Sequence, residues 1–369
     1  MAYQFIIFIA VVQSILFLTH WFLYRTLVFF LSLTSPNVAL PLKIVLFFFS
    51  VSLVSTSFLA FRYSNVLVRM VYVIAASWTG FLNFFVLASI SSWVIYLAAQ
   101  SFSFSLDRKL LACILFGLAI VAGIYGIVNA TTSRVTNISV KLTHLPEYWH
   151  GKNAVWISDI HLGSVRRYGF AKNVADRIQQ LQPDLIFIGG DLFDGGTVDL
   201  NDFTEPFSRL SAPDGVYFIT GNHEEFSDPA RYLEAVKQAG IKVLNNEMVN
   251  LKGLQIIGVD YRDSAKRQKY EMILNGIRIN SNLPTILLKH SPTNLDIANK
   301  KGITLQLSGH THKGQIFPIN FITGLVYHGY DYGFKKFKDL QIYTSSGVGT
   351  WGPPMRVGNV PEIVVIKFE

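Results

Sequence analysis

Acidic residues are almost missing from the first third of this chain: residues 1–130 hold one, Asp107, against six Lys or Arg. The other 26 bases and 23 acids lie beyond residue 130, so the net charge of +8 divides into +5 and +3. Charged residues make up 15% of the chain, well below the quarter or so usual in soluble proteins. The shortage sits in one place. The first part has membrane composition and the remainder that of ordinary globular protein. Cysteine is scarce too: Cys113, inside an apolar run, is the only one. That excludes an intrachain disulfide and leaves a small buried hydrophobe as its reading. Neither part shows an internal repeat or a low-complexity tract.

Long apolar runs take the place of the missing charge. A bilayer core ~30 Å thick takes about 20 apolar residues as a helix. Four segments qualify, at 5–31, 41–61, 67–99 and 110–128, the third read as one long span. The first has no basic leader and no small-residue cleavage site, so it reads as an anchor and not a removable signal. No acid lies within these runs and the bases collect near their ends, which argues against a transporter or channel with ionisable groups at mid-span. His20 is read as interfacial, as are Trp21, Tyr24, Tyr63, Trp93 and Tyr96. With four spans both chain ends share a side. Five bases there (Arg62, Arg69, Arg134, Lys141, Lys152) face four on the other (Arg25, Lys43, Arg108, Lys109), which leans the C-terminal part of an integral plasma-membrane protein toward the cytoplasm. The basic excess flanks spans, so membrane lipid is the expected partner and nucleic acid is not.

The expected division is an anchor over 1–130, a linker with a first strand over 131–152, and a globular domain over 153–369. Strands are predicted at 154–158, 184–189, 216–220, 254–259, 285–289, 303–308, 341–345 and 362–368. Helical patterns fill 168–182, 228–240, 266–279 and 293–300. Apolar strands bracketed by helices predict an α/β sandwich with buried sheets. Segment 316–338 is unusually apolar and ends in Lys335, Lys336 and Lys338. It reads either as a buried hairpin with a solvated basic edge or as a flap that meets acyl chains or anionic headgroups.

Five of these strands run into residues of metal-ligand type. In order they are Asp159-Ile-His161, Gly190-Asp191-Leu-Phe-Asp194, Gly221-Asn222-His223-Glu224, His290 and Gly309-His310-Thr-His312. Ligands of α/β sheets gather at the carboxyl ends of strands. Hydrolysing a phosphate ester requires neutralising a charged phosphoryl group and making a nucleophile of water at neutral pH. Two cations ~3.5–4 Å apart do both. Imidazole, carboxylate and amide oxygen are suitable donors, and the mixture accepts Mn, Fe, Zn or Co. Asp159 with His161, and His310 with His312, are spaced by two, which in an extended segment turns both side chains to one face. Glu224 and Glu225 read as the first turn of a helix.

These five blocks, in this order, resemble the calcineurin-like metallophosphoesterases. The flanks Ile157-Ser-Asp-Ile-His-Leu-Gly163, Gly309-His-Thr-His-Lys-Gly-Gln315 and Ser345-Ser-Gly-Val-Gly-Thr-Trp-Gly-Pro-Pro-Met-Arg356 are similar to the membrane-associated branch of that family. The branch includes hydrolases of UDP-diacylglucosamine and transmembrane proteins that carry a metallophosphoesterase domain. The resemblance implies an N-terminal multi-span α-helical membrane region followed by an α/β metallophosphoesterase domain, a four-layer α-β-β-α sandwich. It implies one divalent metal on Asp159, His161, Asp191 and His312, and a second on Asp191, Asn222, His290 and His310, with Asp191 shared. By the same resemblance His223 is the catalytic histidine and Asp194 orients it. Lys313 stands where the branch usually has glycine and is read either as a phosphate contact or as a solvent-facing cation. Arg356 is a candidate for bidentate phosphate contact.

The expected reaction is metal-assisted hydrolysis of a phosphodiester or pyrophosphate, with a lipid-linked substrate such as UDP-diacylglucosamine. A diesterase for soluble substrates and a protein phosphatase are the nearest rivals. Gly195, which follows Asp194, stands where the phosphatases carry arginine. A nuclease needs a basic groove, and the part beyond residue 130 is only +3. A non-enzymatic membrane scaffold would be expected to lose ligands, and none is lost.

Overall fold

The computed structural model describes residues 2–196, 200–225 and 228–369. It forms two compact units, Met1–Val128 with Gly352–Val357, and Asn129–Trp351 with Gly358–Glu369. The first contains helices α1 (Ala2–Phe30), α2 (Pro36–Arg62), α3 (Val66–Ser101) and α4 (Arg108–Asn129), each long and apolar enough to cross a membrane. The third apolar run is one unbroken helix of 36 residues. Proline opens α2, where its missing N–H costs nothing, and the Asn65 side chain caps α3 by accepting from Val68 N–H. Small residues such as Ala75, Ala76 and Gly80 are buried in α3, as close helix packing in lipid demands.

His20, read as interfacial, has its partners inside the helical unit. It is buried in the bundle, with Nδ1 2.7 Å from Leu16 O and Nε2 accepting from Trp78 Nε1–H at 2.8 Å. A carbonyl can only accept, so Nδ1 carries the proton and Nε2 is free to receive the indole. Trp78 thus supplies inside the bundle the partner that water would supply at an interface. A difference concerns the boundary. Gly352–Val357 groups with the helices rather than with the expected 153–369 domain: Arg356 N–H donates to Gly126 O at 2.8 Å.

The second unit holds two six-stranded sheets. In the first the order is β1 (Arg134–Val140), β12 (Glu362–Phe368), β2 (Asn153–Ile157), β3 (Leu185–Ile188), β4 (Val216–Phe218), β5 (Lys242–Val243). β2 to β5 run parallel, whereas β12 is antiparallel to β2 and parallel to β1. The second sheet has the order β10 (Gly333–Phe337), β11 (Leu340–Thr344), β9 (Leu305–Ser308), β8 (Thr285–Leu288), β7 (Leu254–Gly258), β6 (Glu247–Leu251). Its central four strands are parallel and both edges are antiparallel.

Alternate residues of each strand feed different layers. Trp156, Phe187 and Tyr217 meet Ile256, Leu288 and Leu307 between the sheets. Ile157, Ile188 and Phe218 pack outward on α5 (Tyr168–Gln180), α6 (Leu200–Ser208) and α7 (Pro229–Gln238). Ile257, Leu287 and Ile342 pack on the other outer layer, which includes the short α8 (Tyr261–Ser264), α9 (Arg267–Gly276) and α10 (Leu295–Lys300). The result is the four-layer α-β-β-α sandwich. Segment 316–338 is not a buried hairpin throughout. Its apolar first half is helix α11 (Ile319–Val326), none of whose eight residues is buried, and only its second half pairs, as β10 with β11.

Candidate metal centre

The strands deliver their carboxyl ends to one edge of the sandwich. Asp159 and His161 follow β2, Asp191 and Asp194 follow β3, Asn222 and His223 follow β4, His290 follows β8, and His310 and His312 follow β9. All of the expected metal residues converge here, though not by extended alternation. Asp159, His161, Asp191, His310 and His312 all have φ between 49° and 72°, in the left-handed region. For residues with a Cβ that conformation is sparsely populated and persists only where surroundings enforce it. The enforcement is visible. Backbone N–H groups of Ile160 and His161 both donate to Asp191 O, at 2.9 and 3.0 Å, and His310 N–H donates to the Asp159 carboxylate at 3.0 Å. Gly221 leaves space that nothing larger can share, since a Cβ there would strike the Asp191 carboxylate.

Three donor groups result, the third being Asp194 with His161 and His223. Asp159, His161 and His312 bring their ligand atoms within 4.8 Å of one another, and so do Asp191, His290 and His310. Asn222 joins the second, its Oδ1 2.8 Å from His310 Nδ1. Asp191 stands between: its Oδ2 is 3.7 Å from His161 Nε2 and 3.2 Å from His290 Nε2. His290 Nδ1 lies 2.7 Å from Gly189 O. Because that carbonyl must accept, Nδ1 holds a proton and Nε2 is the atom turned to the centre, the usual way a ligand imidazole is oriented. His290 Nε2 is wholly buried and makes no hydrogen bond among the described residues.

Charges in this edge are strongly coupled. Burial works against the ionised Asp191, but His290 first and His223 next hold its carboxyl well below the usual carboxylate range. Burial pulls His290 down while Asp191 pulls it up, and the balance is about 9. Burial and His290 push His310 down to about 3 despite Asp191. His161 and His312 turn Nε2 atoms toward each other at 3.0 Å, which two unprotonated nitrogens tolerate only with a cation or a proton between them. Buried carboxylates, opposed imidazole nitrogens and an amide oxygen are together a donor set that fits two divalent ions.

His223 sits beside these groups. Its N–H donates to Asp191 Oδ1 at 2.9 Å and its Nδ1 lies 3.1 Å from the backbone carbonyl of Asp194. The Asp194 carboxylate is placed closer to His161 Nδ1, at 3.3 Å, than to His223 Nδ1, at 3.6 Å. Asp194 thus meets the His223 ring through its main chain as well as its carboxylate. Burial lowers the His223 pKa, with partial relief from Asp191.

Two further residues were expected as substrate contacts. The Lys313 ammonium lies 4.2 Å from the Tyr332 ring centroid. Arg356 is fully buried in the segment that belongs to the helical unit. Sequence reasoning also missed residues. Glu224 does not open a helix: it is fully buried, and its carboxylate accepts from the backbone N–H of Asp191, Phe193 and Gly221 at 2.9, 3.1 and 2.7 Å. Burial and Asp191 push it up to about 7. Its position within the Gly-Asn-His-Glu block was the available signal. Aromatic rings rim the centre as well: Tyr261 lies 5.6 Å from the His310 ring, Tyr327 6.2 Å from it, and Trp351 6.1 Å from His223.

Comparison with known proteins agrees with this geometry. The family model described as calcineurin-like phosphoesterase matches residues 153–314. An uncharacterized metallophosphoesterase of Aquifex aeolicus is 32% identical over 260 residues, covering 68% of this chain and 98% of its own length. The transmembrane protein with metallophosphoesterase domain of Danio rerio is 30% identical over 267 residues, 68% of this chain and 60% of the relative. An uncharacterized metallophosphoesterase of Helicobacter pylori is 32% identical over 218 residues, 58% of this chain and 59% of the relative. The chain thus spans about three fifths of the length of the last two relatives. With the five blocks gathered at one edge and a relative matched along nearly its whole length, the chain belongs to the calcineurin-like phosphoesterase family.

Proposed function

We propose that this chain hydrolyses a phosphodiester or pyrophosphate bond of a lipid-linked substrate, of the class to which UDP-diacylglucosamine belongs. The observation that carries the hydrolytic part is the placement of Asp191, whose one oxygen approaches donors from both sheets. Asp159, His161, Asp191 and His312 would hold one divalent ion, and Asp191, Asn222, His290 and His310 the other. When bound, such ions neutralise the phosphoryl oxygens and acidify a water for attack at neutral pH.

The remaining tasks fall to side chains. The Asp194 carbonyl can only accept, so Nδ1 of His223 keeps its proton and Nε2 is the atom left to face substrate. In its protonated form His223 donates from Nε2 to the leaving oxygen. Its backbone bond to Asp191 ties this proton donor to the same carboxylate that organises the donors. The lipid-linked part is supported by the four membrane-crossing helices carried in the same chain, which a freely diffusing substrate does not require.

The test uses the detergent-purified full chain on a panel of soluble diesters, monoesters and lipid pyrophosphates, with bound metal measured. We expect turnover of the lipid-linked compounds. We expect His223→Ala to keep its metal and lose about 10²–10⁴ in rate, with a smaller loss for good leaving groups. Two bound ions without turnover of any ester would favour the scaffold reading. Turnover confined to soluble diesters would overturn the lipid-linked part.

A further inference from the structure

Exposed apolar side chains in the second unit are concentrated. Among the described residues twelve large hydrophobics are exposed there, and six of them fall between Phe317 and Val326. Helix α11 accounts for most, and its amphipathicity is reversed. Phe321, Ile322, Leu325 and Val326, on one face, are 56–78% exposed. Asn320 and Thr323, on the other, turn toward the protein: Thr323 Oγ1 donates to Asp331 Oδ2 at 3.1 Å, and Asn320 Oδ1 is buried. A water-facing helix puts its apolar stripe inward. A helix with its polar face anchored and its apolar face free is built for an apolar medium.

α11 is also coupled to the metal centre. Asp331 O accepts from Thr311 Oγ1 at 2.7 Å, between His310 and His312, and the helix ends at Tyr327 against the His310 ring. Strand directions add an independent argument. β1 runs antiparallel to β2, so the chain enters this unit at the carboxyl end of β2, the end that bears Asp159.

We propose that α11 lies in the headgroup–acyl boundary of the bilayer, with its Phe321, Ile322, Leu325, Val326 face in lipid, and holds the mouth of the metal centre at the membrane surface. This rests on reading the centre as a hydrolase of lipid-linked esters, and it assigns the surface that meets the lipid.

The test is spectroscopic. In the full chain carrying Cys113→Ser, Leu325→Cys takes an environment-sensitive fluorophore, and Met272→Cys, exposed on α9, serves as the control. Both are placed in nanodiscs of phosphatidylcholine and phosphatidylglycerol. Quenching by acyl-chain doxyl lipid is expected to be at least about fivefold stronger at position 325 than at 272, with the reverse order for aqueous iodide. Adding Phe321→Ser and Ile322→Ser should bring lipid quenching at 325 down to the control level. Turnover of bis(p-nitrophenyl) phosphate should stay within about twofold, because neither side chain touches the metal residues. Iodide access at 325 equal to that at 272 overturns the proposal. So does protection from both quenchers, which would point to a protein covering the helix. Lipid quenching at 325 in a protein that turns over no ester would leave the proposal standing and sink the hydrolase reading.

Discussion

His20, Thr26, Ser50 and Ser89 in the helical unit are as buried as Asp159, His161, Asp191 and His290 in the second unit, yet the two sets are partnered in opposite ways. In the helices the hydroxyls fold back onto carbonyls one turn earlier, Thr26 onto Phe22 at 2.9 Å and Ser89 onto Phe85 at 2.8 Å. His20 is closed off by Leu16 O and by Trp78. Every such bond is neutral and local, or reaches one helix over, as a medium without water requires. In the second unit the buried groups carry charge and point at one another, with left-handed backbone forcing the approach. Depth of burial therefore does not separate structural from functional polar residues here. Charge does, since neutral buried atoms such as Ser92 Oγ and Tyr270 OH also make no hydrogen bond among the described residues.

The comparison is broken most severely at Asp191. Asp191→Asn keeps the shape but removes the charge that both proposed metal sites share. The expected outcome is loss of both ions and of nearly all diester turnover, since several kcal/mol of charge stabilisation goes with the carboxylate. Metal analysis of the purified variant decides it. Two bound ions and a near-normal rate would show that the carboxylate is not shared.

A smaller effect is expected at Glu224, which supports the centre without belonging to it. Its carboxylate accepts three backbone N–H groups, two of them in the Asp191–Phe193 turn. Glu224→Gln turns an NH2 toward donors it cannot satisfy, so the turn that aims Asp191 loosens. Metal affinity should fall by about 10–100-fold, the usual range for partners that orient ligands. Turnover should return when metal is raised to saturation. A rate that stays low with the sites filled would mean that Glu224 acts on the reaction itself.

Glu224 also marks where the sequence stopped being legible. The candidate metal residues could be read because each follows a buried parallel strand, and such strands appear as unbroken apolar runs. The strands that escaped notice, β5 and β6, are an edge of the first sheet and an edge of the second, and neither has a fully buried residue. An exposed edge has no reason to keep an apolar run. The spacing of Asp159 with His161 suggested that both side chains meet on one face, and they do meet. The cause is left-handed backbone, which follows from neighbours such as Asp191 O and not from local sequence. Glu224 looked like the acid that opens a helix. Its burial depends on three N–H groups from two separate turns, and nothing adjacent to it in the chain announces them. The partner of His20 was hidden for a matching reason, because Trp78 lies 58 residues away.

That pair supplies the smallest and cleanest contrast. His20→Leu removes the acceptor of Trp78 Nε1–H and leaves one indole donor without its partner in the bundle. Interhelical hydrogen bonds of this kind contribute about 0.6–1.7 kcal/mol in membranes, far less than a charge in the metal centre. Replacing both partners, His20→Leu with Trp78→Phe, should recover part of the loss, because no orphaned donor then remains. Thermal unfolding in detergent measures both variants, and diester turnover below the transition should match that of the unaltered chain. If either variant lost turnover in proportion to the Asp191 change while remaining folded, neutral bonding would not be a mark of structural polar residues. The helices would then have to be counted as part of the catalytic machinery.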